Sequence, residues 1–255
     1  MNIQVVSDLH GEGWQPHSKL WSVVTPKAPV AVVAGDIHSR HFEDMLNEIA
    51  TKFEKVIAVY GNHEFYHRDI SWKCDKTLLA PNVSVLDCDA VEYDDVLFLG
   101  CTLWTDFDNA DWFVMRSAQD GINDFHAITD NNGGTKFTVR AALEKHYQEK
   151  AWLKMMIEQN RDKKIVIVTH FLPSYQCVHP KWKQGGTDML NRYFSANCDD
   201  LIEMCEAKAW IHGHTHDVRE LELCGVPVFC NPLGYGLGKE GLSFGQEYKD
   251  MVITV

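Results

Sequence analysis

Asp8, His10, Asp36, Asn62, His63, His170, His214 and His216 are the residues of this 255-residue chain best suited to chemistry. They offer carboxylate oxygen, imidazole nitrogen and one neutral amide oxygen. That donor set suits Mn²⁺, Fe or Zn²⁺ and not a soft thiolate site. Two such ions roughly 3.5–4 Å apart need an anionic bridge to offset their repulsion, which a strand-end aspartate can supply. Residue type alone leaves Asp8 and Asp36 both open as that bridge. The chemistry open to such a site is hydrolysis by metal-activated water, and a histidine can donate a proton to a departing group.

The elements that must position these residues are legible in the spacing. Ile3 to Ser7 is an apolar run ending in Asp8-Leu9-His10-Gly11, Val30 to Ala34 one ending in Gly35-Asp36, and Lys55 to Tyr60 one ending in Gly61-Asn62-His63-Glu64. Phe42, Met45, Leu46, Ile49 and Phe53 recur at helical spacing between the second and third, which predicts a βαβ crossover onto a buried parallel sheet. Helices are expected at Ser71 to Leu79, from about Thr138 to Asn160, and at Asp199 to Ala207. The long one should carry Val139, Ala142, Leu143, Tyr147, Leu153, Met156 and Ile157 on or near one face. Strands are expected at Val83–Leu86, Ala90–Tyr93, Val96–Gly100 and Lys164–Thr169, the last ending at His170. Further strands follow at Ala209–Ile211, which leads into His212-Gly213-His214-Thr215-His216, and at Val218–Leu223, Val226–Cys230 and Met251–Val255. Loops beyond the carboxyl ends of such strands converge, so strand-end Asp8, Asp36, Asn62 and His170 point to one site.

Five ordered blocks carry a resemblance: Asp8-Leu9-His10, Gly35-Asp36, Gly61-Asn62-His63-Glu64, Thr169-His170 and Gly213-His214-Thr215-His216. The chain resembles the calcineurin-like metallophosphoesterases, and in particular their small phosphodiesterase-type members. The resemblance implies an α/β fold of two packed mixed β-sheets forming a sandwich flanked by helices, a four-layer αββα arrangement. It implies one ion held by Asp8, His10 and His216, another by Asn62, His170 and His214, and Asp36 bridging them. A water or hydroxide between the ions would attack phosphorus in line. His63 would contact the phosphate or protonate the leaving oxygen without ligating metal.

Other residues near the motifs are weighed against plainer roles. His38 and His212 read as structural or supporting histidines. Glu64 could orient His63 or be a helix-start carboxylate. His17 and Arg40 could meet substrate but read first as solvent-facing. Asn231, before Pro232-Leu233-Gly234-Tyr235-Gly236, could pin a closing turn through an Asx hydrogen bond. Pro173 to Thr187, with Gly185-Gly186, is expected to be a loop. The segment from about Trp104 to Lys136 reads as an insertion facing the site and governing substrate choice more than stability. Its Trp104, Phe107, Trp112, Phe113, Phe125 and His126 could stack on a base or form a small core, and Arg116 could bind a further phosphate.

Bulk composition sets the outer limits. With 45% hydrophobic residues the chain can bury one substantial core, and 1–255 reads as a single domain. The N-terminus shows no signal-peptide pattern and no apolar run approaches a membrane span, so a cytoplasmic protein without membrane contact is expected. Eight scattered cysteines with no CxxC spacing read as reduced thiols. A formal charge of -12 and no basic run argue against long nucleic acid as partner. A small phosphoester, with a nucleotide among the options, fits better, because bound cations reverse the local potential. A phosphodiesterase is preferred; phosphomonoesterase and nucleotide pyrophosphohydrolase are the alternatives, and a non-catalytic metal-binding interaction protein is a further one. The protein-phosphatase reading weakens at Gly35-Asp36-Ile37-His38-Ser39-Arg40, which lacks that group's second aspartate.

Overall fold

Strands whose side chains are buried on both faces must be covered on both sides, and Val30–Ala34 has every residue buried. The computed structural model describes residues 1–14, 20, 23–183, 188–235 and 248–255. Its first sheet runs β13-β1-β2-β3-β4, from Val252–Thr254 (β13), Asn2–Val6 (β1), Val30–Ala34 (β2), Lys55–Val59 (β3) and Val83–Leu86 (β4). All neighbours are parallel except β13, which pairs antiparallel with β1. The second runs β11-β12-β10-β9-β6-β5, from Arg219–Leu223 (β11), Val226–Cys230 (β12), Ala209–His212 (β10), Lys164–Thr169 (β9), Val96–Cys101 (β6) and Asp89–Tyr93 (β5). Here β12, β10, β9 and β6 are parallel, and the two edge strands are antiparallel.

Three apolar clusters show how the layers stack. Ile3, Val5, Val32, Ile57, Phe98, Val166, Val168 and Ile211 pack between the two sheets. The outer face of the first sheet meets Phe42, Met45, Leu46 and Ile49 of helix α1 (Phe42–Ala50). The outer face of the second meets Leu153 and Ile157 of α3 (Val139–Gln159) and Leu201 and Ile202 of α4 (Asp199–Met204). Helix, sheet, sheet, helix is the expected four-layer order.

Local expectations fail in two places. No helix spans Ser71 to Leu79; only a 3₁₀ turn forms at Lys76–Leu78. Asp69 and Asp75 each accept the backbone N–H two residues on, from Ser71 at 3.0 Å and Thr77 at 2.9 Å, and such local bonds compete with a helix. Helix α3 starts where Thr138 caps it by accepting from Ala141 N–H at 3.1 Å. Its buried face, however, is Ala142, His146, Glu149, Leu153 and Ile157, and Tyr147 is exposed. Two polar residues belong to that face because Trp104 needs them. Its N–H donates to Glu149 at 2.8 Å, and its carbonyl lies 2.7 Å from His146 Nδ1.

Candidate metal centre

The carboxyl ends of β1, β2, β3, β9 and β10 point the same way and deliver Asp8 and His10, Asp36, Asn62, His170, and His214 with His216 into one place. Five of these residues, Asp8, His10, Asp36, His214 and His216, sit at positive φ. Non-glycine residues rarely adopt that region, and strain of this kind concentrates at functional sites. Gly35 has φ 80, and a Cβ there would lie 2.5 Å from His170 Nδ1; a Cβ on Gly61 would lie 2.1 Å from Asp36 Oδ1. The two motif glycines are therefore required by close approach.

Among the described residues three donor groups form; Asp36 is common to two of them, and the third is His10, Glu12 and His63. In one of the two, His10 Nε2 and His216 Nε2 are 3.0 Å apart, His216 Nε2 is 3.4 Å from Asp8 Oδ1, and His10 Nε2 is 3.7 Å from Asp36 Oδ2. In the other, His170 Nε2 lies 3.1 Å from His214 Nδ1, 2.9 Å from Asn62 Oδ1 and 3.4 Å from Asp36 Oδ2. Within the groups Asp8, His10, Asp36, His216 and Asp36, His170, His214, the donor atoms all lie within 4.8 Å of one another. Imidazole nitrogens aimed at each other and at carboxylates, at this depth, are a cation-binding arrangement.

The charge states agree. Burial opposes ionisation of Asp8, yet hydrogen bonding and charge from His216 hold its carboxyl below the usual range. Burial likewise opposes ionisation of Asp36, and His170 and His63 outweigh it. Burial pushes His10 and His214 down, so both offer lone pairs. His170 resists burial and is raised to about 9 by Asp36, so a cation there would replace a proton. Donor type, facing geometry and charge thus fit two divalent or transition-metal ions.

His63 stands apart from the two groups that share Asp36. Its Nε2 is 3.9 Å from Asp36 Oδ2, and its Nδ1 is 3.5 Å from Glu12 Oε1. Burial lowers its pKa, but Asp36 and Glu12 more than compensate and raise it to about 9. With the site free of metal, the neighbouring carboxylates thus favour its charged form, half-buried beside the donors.

Glu64 does not touch the His63 ring. Its fully buried carboxylate accepts four backbone N–H groups, from Gly61 at 2.6 Å, Ile37 at 2.7 Å, Asp36 at 3.0 Å and His38 at 3.1 Å. It clamps the β2 and β3 loops together. His38 Nδ1 accepts from Arg40 and His41 N–H at 3.0 and 3.1 Å, a loop-closing role. His212 is buried with Nδ1 on the Gly213 carbonyl at 2.9 Å, and burial pushes it down to about 4. Asn231 pins chain, and among the described residues makes no side-chain bond to its own turn: its amide donates to Val5 and Lys249 carbonyls, each at 2.8 Å.

Three residues here were not singled out by sequence reasoning. Glu12 lies between His10 and His63, 3.5 Å from each. Tyr235 stacks on His10 with ring centroids 4.1 Å apart, and its hydroxyl is 3.4 Å from His63 Nε2. Asp124 accepts from Asn62 at 2.9 Å, Tyr66 at 2.8 Å and Tyr193. Glu12 carried a signal, as a carboxylate two residues after a motif histidine, and Tyr235 one as a member of the expected closing turn after Asn231; Asp124 carried none.

The 104–136 segment corrects several expectations. Trp104, Phe107 and Phe125 are buried in the main core with Phe137 and Phe171, so the segment contributes to stability as well as to the rim. Trp112 and Phe113 on α2 (Trp112–Gly121) are exposed and do not line the cleft. Arg116 pairs with Asp120 at 2.9 Å on the surface and meets no phosphate position. A short hairpin of β7 (Thr129–Asp130) and β8 (Thr135–Lys136) closes the segment. His17, Gly185-Gly186 and Gly236 lie outside the described residues.

The donor groups open into a cleft of about 360 Å³, lined at its inner end by Asp36, Asn62, His63, His214 and His216. With this geometry in view, the relatives are informative. The family model for calcineurin-like phosphoesterases matches residues 1–218, and the chain belongs to that family. It is 24% identical over 268 residues to the Acanthamoeba polyphaga mimivirus protein named Uncharacterized protein L509, with 91% of each chain covered. The fold is similar to that of phosphopantetheinyl hydrolase from Mycobacterium tuberculosis, at TM-score 0.68 and 18% identity over 95% of this chain and 94% of the other. The family is one of metal-dependent phosphoesterases. All eight cysteines are free, and among the described residues no helix is long and apolar enough to cross a membrane.

Proposed function

We propose that this chain, acting as a single unit over residues 1–255 in the cytoplasm, is a phosphodiesterase that uses two metal ions on a small or nucleotide-like ester. The observation that carries the reading is Asp36, shared by two donor groups at the inner end of the cleft, with His63 Nε2 3.9 Å from its Oδ2. Asp8, His10 and His216 would hold one ion, and Asn62, His170 and His214 the other. When bound, the pair supplies a nucleophile from water at neutral pH and offsets charge on the phosphoryl oxygens.

The chain's own residues do the rest. Asp36 keeps both donor groups anionic, and Glu64 fixes the loops that carry Asp36 and Asn62. His63 faces the phosphate and donates a proton to the leaving oxygen. A diester is favoured over a monoester by charge: none of the described lining residues is Lys or Arg, and a monoester brings one more negative charge into the cleft.

The test is turnover of bis-p-nitrophenyl phosphate by protein of assayed metal content, with Mn²⁺, Fe²⁺ or Zn²⁺ supplied separately. Cyclic nucleotides, linear dinucleotides, nucleoside polyphosphates, phosphomonoesters and a phosphopantetheinyl ester complete the screen. Metal-dependent release from diesters is the expected result. Turnover confined to monoesters or pyrophosphates would transfer the site to that chemistry, and silence across the screen would leave a metal-binding interaction protein.

A further inference from the structure

Beyond the phosphate, the cleft is built for something without charge. Its walls include Tyr66, stacked on His63 at 4.2 Å, and Ile122. Phe194, whose ring is 4.9 Å from that of His214, lines it too, with Val178 and Trp182. So does Tyr193, bonded to buried Asp124. The polar side chains contributed by Asn123, Asn191 and Thr215 are neutral. Of the described cations nearest in sequence, Lys181 pairs with Asp217, Arg192 with Asp108, and Lys183 lies 4.7 Å over the Tyr175 ring; none lines the cleft.

We infer that the organic group of the ester is an uncharged, apolar or aromatic body that lies between these walls, as part of the phosphodiesterase reading above. A second phosphate or a carboxylate placed there would lose its water, gain no described Lys or Arg, and approach the Asp124 carboxylate. Burying a charge on such terms is strongly unfavourable. An aromatic or apolar group instead exchanges water for Trp182, Phe194, Ile122 and Val178 and gains dispersion contact. The reading therefore separates uncharged diesters from nucleoside polyphosphates and pyrophosphates, which carry further anionic groups next to the scissile one.

Phenyl p-nitrophenyl phosphate and its 4-carboxyphenyl analogue test this on the metal-loaded, full-length protein. They share the scissile bond and reporter and differ by one negative charge. The phenyl ester should have the higher kcat/KM by about tenfold or more, as expected when a charge meets an apolar pocket without a partner. Ile122→Arg should shrink or reverse that ratio. Equal or inverted values for the unaltered protein would overturn the inference whether or not the variant folds. Equilibrium binding of benzyl(methyl)phosphinate and (4-carboxybenzyl)(methyl)phosphinate, whose P–C bonds have no leaving group, reads the cleft without turnover. Tighter binding of the uncharged-ring probe with no hydrolysis of any ester would remove the hydrolase and keep the cleft assignment. Indifferent binding alongside normal hydrolysis would do the reverse.

Discussion

Asn62 donates its side-chain N–H to Asp124 Oδ1 at 2.9 Å, and this bond turns Asn62 Oδ1 toward His170 Nε2, also 2.9 Å away. An amide can present either end to a cation, and only the oxygen end ligates. Asp124, buried and anchored by two tyrosine hydroxyls, selects that end. Asp124→Ala should therefore weaken the ion at Asn62, His170 and His214 by about 10- to 100-fold, the usual effect of losing an outer hydrogen-bond partner. The ion at His10 and His216 should keep its affinity. Stepwise metal titration resolves the two, and equal weakening of both ions would show a general loss of structure.

Asp36→Ala should lower metal occupancy and turnover together, because one carboxylate faces both donor groups. We expect loss of at least one ion and a fall in kcat of about 10³-fold or more, several kcal/mol of transition-state stabilisation. Elemental analysis beside a diester assay decides it. Two ions bound with unchanged affinity would place the bridge elsewhere.

Glu64→Ala would leave four backbone N–H groups buried without an acceptor, each worth about 1–3 kcal/mol when unsatisfied. Several kcal/mol of stability should go, read as a lower urea midpoint with unchanged slope. A midpoint within error of the parent would mean that water or a neighbouring carbonyl takes over the four donors.

Much of this was legible in the sequence. Strand-end placement found Asp8, Asp36, Asn62 and His170, because a run of apolar residues stopping at a polar one needs no tertiary information. Glu64 was seen but its role was not, since its four partners come from loops that only folding brings together. Asp124 carried no local pattern, since it reaches Asn62 across 62 residues, and Tyr235 was read only as part of a closing turn. Tyr235 arrives because Leu233 and Gly234 N–H groups bond to Ser7 and Asp8 carbonyls at 2.9 and 2.8 Å. The apolar face of α3 was read correctly except at exposed Tyr147, and its polar members His146 and Glu149 were missed for a related reason, their partner being the distant Trp104 backbone.

Glu149 gives a pH dependence independent of the metal centre. Burial raises its carboxyl from the usual 4.5 to about 7, while the Trp104 N–H pulls the other way. Between those values the folded chain holds a proton that the unfolded chain has released, so stability falls as pH rises through the window. The full effect is about 3 kcal/mol by linkage. Glu149→Gln should remove this slope, so its stability relative to the parent should improve from pH 4.5 to above 7. Urea unfolding of both proteins across that range checks it; a difference that does not change with pH would absolve Glu149.

His63 should separate chemistry from metal binding. Asn62 supplies a donor from the same turn, so His63 can face the phosphate without occupying a coordination position. Asp36 and Glu12 keep it charged, with its pKa raised to about 9, and Tyr235 stands 3.4 Å from its Nε2. His63→Ala should retain metal content and folding while turnover falls by about 10²- to 10⁴-fold, the range for lost general-acid assistance. An alkyl leaving group needs that proton more than p-nitrophenolate does, so the loss should be greater for an alkyl diester. If His63 acted only by its charge on the phosphoryl oxygens, both substrates would suffer alike, because that charge develops with either leaving group. Two diesters of contrasting leaving-group pKa, assayed beside metal analysis, distinguish the cases. Equal losses would assign His63 to phosphate stabilisation alone, and a missing metal equivalent would make it a ligand.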